Sequence, residues 1–172
     1  VLIGSYPRLD MTARHTPVDS LDRKKIVFGR IGSIYHDNGI EEILEAFRLL
    51  LKRQDNVRLF FAGRVFETYK DTFTRLIKGL ENHITIFGAF NAADMPLRCS
   101  KIDVSIMIYK RSLWFQNITP TKFFDSLACG VPAIVSDMGG LKQIVEKYRC
   151  GIVVDEQDPL AVADTMEHLI TQ

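Results

Sequence analysis

The sequence predicts an α/β fold: a Rossmann-like, doubly wound, mainly parallel six-stranded sheet with helices on both faces. Two observations carry this expectation. Short runs rich in β-branched and other apolar residues alternate with stretches whose apolar residues recur at helical spacing. The runs are also apolar on both faces, as strands must be when helices cover both sides of a parallel sheet.

The elements follow in order. Residues 26–32 (IVFGRIG) form a strand ended by glycine, and Asn38-Gly39 then introduces Ile40, Ile43, Leu44, Phe47, Leu50 and Leu51 at helical spacing. Residues 57–62 (VRLFFA) repeat the strand signal up to Gly63, and Tyr69, Phe73, Leu76, Ile77 and Leu80 give the second helical stripe. A third strand at 84–87 stops at Gly88, and a brief helix around 95–100 leads to the fourth strand at 102–108. A loop and helix over 114–128 precede the fifth strand, AIVS, while Leu141, Ile144, Val145 and Tyr148 mark a helix before the sixth, GIVV. Pro159 opens the last helix, with Leu160, Ala163, Met166 and Ile170 expected inward and the proline placed where its missing N–H is harmless. Residues 1–22 show neither period and read as an interdomain linker at the end of an amino-terminal half, leaving 23–172 as one domain.

Composition narrows the function. With 22 basic and 21 acidic residues, the chain has no field that would attract nucleic acid, so any anion site must be local. Cys99, Cys129 and Cys150 are odd in number and scattered, which argues against a disulfide framework or a zinc site and suits a reducing cytosol. No run approaches the roughly 18 apolar residues of a membrane span, and the start lacks the pattern of a signal peptide. His15, His36, His83 and His168 show no ligand spacing.

In such a sheet, ligands sit at the carboxyl ends of the strands, where helix N-termini offer free N–H groups. The glycine fingerprints of dinucleotide and P-loop sites are absent. Lys122 and Asp125 stand three apart at a helix start and share a face, with Phe124, Leu127 and Ala128 expected against the sheet. A lysine there suits a phosphate and a carboxylate one turn on suits a ribose diol. The plainer alternative is a surface ion pair worth about 0.2–0.5 kcal/mol. Thr119 and Thr121 offer hydroxyls to a phosphate or cap the helix, Asp137 caps the Gly139-Gly140 turn or pairs with a cation, and Trp114 and Phe115 anchor the loop or stack on a sugar. Residues 87–90 end a strand and border a base.

PTKFFDSLACGVPAIVSDMGGLKQIVEK, followed by CGIVVDEQDPLAVADTMEHL, resembles the carboxyl-terminal, donor-binding domain of the GT-B-fold retaining glycosyltransferases of family 4. IGSIYHDNGIEEILEAF, ITIFGAF and IDVSIM resemble that family's first strand, loop and helix and its middle strands. The resemblance implies that Lys122 stabilises the departing diphosphate. Gln116 and Asp125 fall in the places of a glutamate pair, with one extra residue between them. Asp125 keeps a carboxylate for the ribose, while Gln116 orients sugar hydroxyls without a negative charge. Ser33 and Asn38 stand where the family carries two cations for the diphosphate, leaving Arg30, Arg64, Lys110 or Arg111 as substitutes. Gly32, Phe87, Gly88, Asn117, Thr119 and Thr121 complete the implied donor contacts.

The implied activity is transfer of a sugar from a nucleotide diphosphate sugar to a glycan or lipid-linked acceptor held through an amino-terminal domain. The fragment alone is expected to be inactive. No cofactor, metal or nucleic acid is implied, and the full-length protein is expected in the cytoplasm or peripheral to a membrane. The uncharged Ser33, Asn38 and Gln116 also suit a degenerate domain serving binding or assembly. A nonhydrolysing nucleotide-sugar epimerase half shares the two-domain fold.

Overall fold

The computed structural model describes residues 25–113 and 118–171. The expected linker 1–22 and Trp114, Phe115, Gln116 and Asn117 lie outside the described residues.

Six strands form the sheet: β1 (Ile26–Ile31), β2 (Val57–Ala62), β3 (Ile84–Phe87), β4 (Val104–Met107), β5 (Ala133–Ser136) and β6 (Gly151–Val154). Their spatial order is β3-β2-β1-β4-β5-β6 and every pairing is parallel. The order reverses between β1 and β4, the switch point beside which α/β sheets open a crevice. Helices α1 (Ile40–Leu51), α2 (Lys70–Leu76), α3 (Met95–Cys99), α4 (Thr121–Ala128), α5 (Leu141–Tyr148) and α6 (Pro159–Ile170) cover both faces.

The core divides by face. On one side Ile40, Ile43, Leu44, Phe47 and Leu50 of α1 pack with Val162, Ala163 and Met166 of α6 over Phe28, Leu59, Ile106 and Ile134. On the other, Met95 and Cys99 of α3 join Cys129 over Ile31, Phe60 and Ala62, while Phe123, Leu141 and Val145 cover Met107, Ala133 and Val135. Acidic Glu41 and Glu42 in the first turn of α1 and Arg48 in its last match the helix dipole. Asp158 caps α6, its Oδ1 accepting from the N–H groups of Leu160 and Ala161 at 3.0 Å each, with Pro159 in the first turn.

Expectations about four helices need correction. Leu160 is 48% exposed and Val162 is buried in its stead, because the Asp158 cap starts α6 in a register that puts 162, 163 and 166 on the sheet side. Tyr148 is likewise exposed at the end of α5, and α2 stops at Leu76, so that Leu80 reaches the core from the following turn. In α4 the inward positions are Phe123, Asp125 and Ser126, while Phe124 and Leu127 are half-buried. Ser126 and Ser105 meet hydroxyl to hydroxyl at 3.2 Å, so two small residues let α4 approach β4 closely.

The corrected face of α6 has a measurable consequence. Met166→Ala is expected to cost about 2–5 kcal/mol of unfolding free energy, whereas Leu160→Ala stays within about 0.5 kcal/mol of wild type; urea denaturation of the two variants checks this.

Candidate functional site

At the carboxyl ends of the strands the structure brings Gly32, Thr119, Lys122 and Asp125 together around the start of α4, while Phe87 and Gly88 lie at the end of β3 and Gln116 and Asn117 outside the described residues. Pro120 precedes the helix in extended conformation and no side chain caps it, leaving first-turn N–H groups for another acceptor. Neither threonine is a cap. Thr121 is exposed in the first turn, and the Thr119 hydroxyl donates to the Gly139 carbonyl, fastening the loop to the turn after β5. Gly139 has a left-handed φ of 50°, and a Cβ there would stand 1.9 Å from the Ile118 carbonyl oxygen, so a side chain is excluded. Asp137 pairs loosely with Lys142 at 3.8 Å.

Lys122 donates to Asp125 Oδ2 at 3.0 Å. The pair is unequal: the Lys122 side chain is 34% exposed and that of Asp125 11%. The aliphatic stem of Lys122 passes 3.9 Å from where a Cβ on Gly32 would sit, so α4 and the end of β1 meet at this lysine. Ser33 is exposed, and its carbonyl accepts from the buried Asn38 amide, which closes the loop from β1 to α1. Asn38 thus has a structural task, although its Oδ1 is buried without a partner. Phe87 is 39% exposed at the end of β3 and Gly88 faces open space.

Of the four cations considered as substitutes, three are engaged. Lys110 lies 3.2 Å from Glu41, and Arg111 holds Asp155 at 3.3 Å and the buried Glu156 at 3.0 Å. Arg64 rests over the Phe66 ring. Arg30 differs. It is 1% exposed, its Nη1 meets Met107 Sδ at 3.5 Å and the Tyr109 hydroxyl at 3.3 Å, and its Nε has no partner. Its guanidinium also lies 4.6 Å from the centre of the Tyr109 ring. Among the described residues no carboxylate pairs with it, although a buried charge is costly without such a partner. An arginine inside an apolar strand pattern, directly after Gly29, is the sequence signal for it.

The rest of the edge is chemically quiet. Burial raises the thiol pKa values of Cys99 and Cys129, with their mutual contact a further influence, so neither is a ready nucleophile. Among the described residues no group of three His, Cys, Asp or Glu side chains is placed to hold a metal. A separate cavity of about 440 Å³ opens at the opposite, amino edge between α4 and α5, lined by Phe124, Leu127, Val131, Pro132, Ile144 and Tyr148. Its apolar lining does not suit a diphosphate, and the polar carboxyl edge is the better candidate site.

The profile of the family described as "Glycosyl transferases group 1" matches residues 24–172. A GDP-mannose-dependent alpha-(1-6)-phosphatidylinositol monomannoside mannosyltransferase of Mycobacterium tuberculosis is 25% identical over 136 residues, covering 77% of this chain. The chain spans only 35% of that relative's length. The crystal structure of the C-terminal domain of a glycosyl transferase group 1 family protein (LpcC) from Francisella tularensis superposes with a TM-score of 0.70 at 20% identity, covering 98% of this chain and 86% of that one. Anabaena Alr3699/HepE in complex with UDP-glucose gives 0.71 at 18% identity over 85% of this chain and 39% of that one. These likenesses are of fold: the sheet and its helices match the carboxyl-terminal domains of GT-B proteins.

Tyr109→Phe keeps the ring beside Arg30 but removes the hydroxyl that its Nη1 donates to. The variant is expected to lose about 1–3 kcal/mol in urea denaturation, the penalty for a buried donor left unpaired.

Proposed function

The chain belongs to the group 1 glycosyl transferases, and on that premise we propose that it is the donor-binding domain of a glycosyltransferase acting on a nucleotide diphosphate sugar. One observation carries the reading: Lys122 stands at the uncapped start of α4, packed on Gly32 and paired with the largely buried Asp125. Phosphates placed there meet an ammonium and the helix N–H groups together, and Arg30 adds a second cation beneath them. Asp125, one turn along, accepts from the ribose hydroxyls. The HepE complex with UDP-glucose and the GDP-mannose dependence in the mycobacterial relative's name support a donor of this class.

In the transfer itself, Lys122 and the helix N–H groups stabilise negative charge building on the departing diphosphate. Gln116 orients the sugar hydroxyls, a role drawn from the family resemblance, as is retention of configuration. The acceptor, a glycan or lipid-linked sugar, is held by a second domain, so this chain alone binds donor without turning it over. Among the described residues no helix is long and apolar enough to cross a membrane. The ion pairs that occupy Lys110 and Arg111 also favour a second reading, a domain that binds without transferring. Hydrolysis or transfer by the full-length protein with any sugar donor rules that second reading out. The matched family is one of transferases, which speaks against an epimerase half.

Titration of the protein with GDP and UDP by calorimetry tests the site. At least one is expected to bind, and Lys122→Ala and Asp125→Ala each weaken it by about ten- to a hundredfold, as loss of a charged hydrogen bond does. Binding of neither nucleotide overturns the assignment.

A further inference from the structure

Phe87 ends β3 at the carboxyl edge, exposed on the side of the sheet that carries α3. Arg98 of α3 lies with its guanidinium carbon 3.6 Å from the centre of the Phe87 ring and 5.9 Å from that of Phe90. Side chains of a helix lean toward its N-terminus, and α3 descends from the carboxyl edge, so Arg98 reaches back up to it. Its Nε is buried without a hydrogen-bond partner, and among the described residues the guanidinium makes no ion pair. The guanidinium sits within cation–π distance of the Phe87 ring, and with Nε buried its two terminal nitrogens are the donors left to reach a ligand.

The position relative to α4 matters as much. Lys122 has its stem on Gly32 at the end of β1, and Phe87 ends β3, two strands along the same carboxyl edge. Two strand spacings come to about 10 Å, a span that a nucleoside diphosphate with its phosphates at Lys122 covers when its base extends toward Phe87 and Arg98.

We propose that Arg98 selects guanine, making the donor a guanosine diphosphate sugar. The inference rests on the donor-site reading above and extends it to the base. Guanine carries two neighbouring acceptors, O6 and N7, on one edge, which suit the two parallel donors of an arginine. Adenine puts an amino donor in place of O6, so one arginine donor faces another donor. Uracil offers O4 beside an N–H and accepts only one bond.

The experiment is calorimetric titration of the full chain with GDP, UDP and ADP, for wild type, Arg98→Lys and Arg98→Gln, with a thermal melt of each variant to confirm folding. Wild type is expected to bind GDP at least about tenfold more tightly than UDP or ADP, which is about 1.4 kcal/mol. Arg98→Lys keeps the charge but loses the planar fork, so the preference should fall to within about twofold while UDP affinity stays within about twofold of wild type. Equal binding of GDP and UDP by wild type overturns the inference, and it does so without any variant having to fold. So does a loss in Arg98→Lys and Arg98→Gln that is the same for all three nucleotides. If nucleotides bind without guanine preference and Lys122→Ala weakens them, the donor site stands and only the guanine assignment falls. If no nucleotide binds, both fall.

Discussion

The carboxyl edge is held together by backbone touching backbone. Gly63 and Gly32 meet so closely that a Cβ on Gly63 would stand 1.9 Å from the Gly32 oxygen, and Gly63 has a φ of 150°. Beyond the strands, Ile34 pairs with Val65, the Ile34 N–H donates to the Arg64 carbonyl and the Phe66 N–H to the Ile34 carbonyl. The β1 and β2 loops are thereby one short ladder. On the other side of β1, the loop before α4 is seated on the turn after β5 through Thr119. Lys122 lies between these two fixed pieces with its stem on Gly32. Its ammonium is placed before any ligand arrives, which lowers the ordering cost of binding.

That rigidity bears on the Lys122–Asp125 pair. An ion pair with one partner a third exposed contributes little to stability, of the order of 0–1 kcal/mol. A ligand that draws the ammonium to a phosphate and the carboxylate to a diol therefore gives up little by separating them. Other pairs do a different job at the same edge. Arg111 neutralises the buried Glu156, and Lys110 pairs with Glu41, tying the segment after β4 to β6 and α1. Removing Arg111 would leave the buried Glu156 short of its partner, so this side chain holds its loop. In the proposed site, positive charge for an anion comes from Lys122, Arg30 and the first turn of α4.

How far the chain was legible follows from these roles. The inner strands β2, β1, β4 and β5 could be read because strands buried on both faces of a parallel sheet need near-continuous apolar runs, and runs such as VRLFFA and AIVS meet that need without relying on periodicity. The more exposed edge strands β3 and β6 kept the same apolar signal. The helix faces were less legible. In α4, sequence spacing put Phe124 and Leu127 inward, but the small Ser126 and Ser105 allow a close approach that turns Phe123 and Asp125 to the sheet. Hydrophobicity alone cannot predict that a carboxylate will be drawn under a helix by its neighbours. The fastening of Thr119 to Gly139 was equally invisible, since it joins residues twenty apart whose meeting depends on the fold. Arg30 stood among four cations, set apart only by its place inside an apolar strand pattern. Only the packing shows that three are engaged while Arg30 is buried with an unpartnered Nε.

The same packing explains how the site can change while the fold persists. The apolar clusters that hold α1, α2 and α6 to one face, and α3, α4 and α5 to the other, involve the sheet interior and owe nothing to Ser33 or Lys122. Asn38 is the instructive exception. Its side chain reaches the Ser33 carbonyl and closes the loop, a bond within reach of a short amide and poorly matched to a long cation that must extend to solvent or phosphate. A basic residue at position 38 would exchange loop closure for charge. With the amide there, loop 33–38 is braced from within, and in the proposed site the charge for an anion lies further in, at Arg30, whose guanidinium meets the ring and hydroxyl of Tyr109. Charge at a ligand edge need not come from its surface loops: a strand can supply it from below, provided the desolvation cost of the buried cation is offset when an anion arrives.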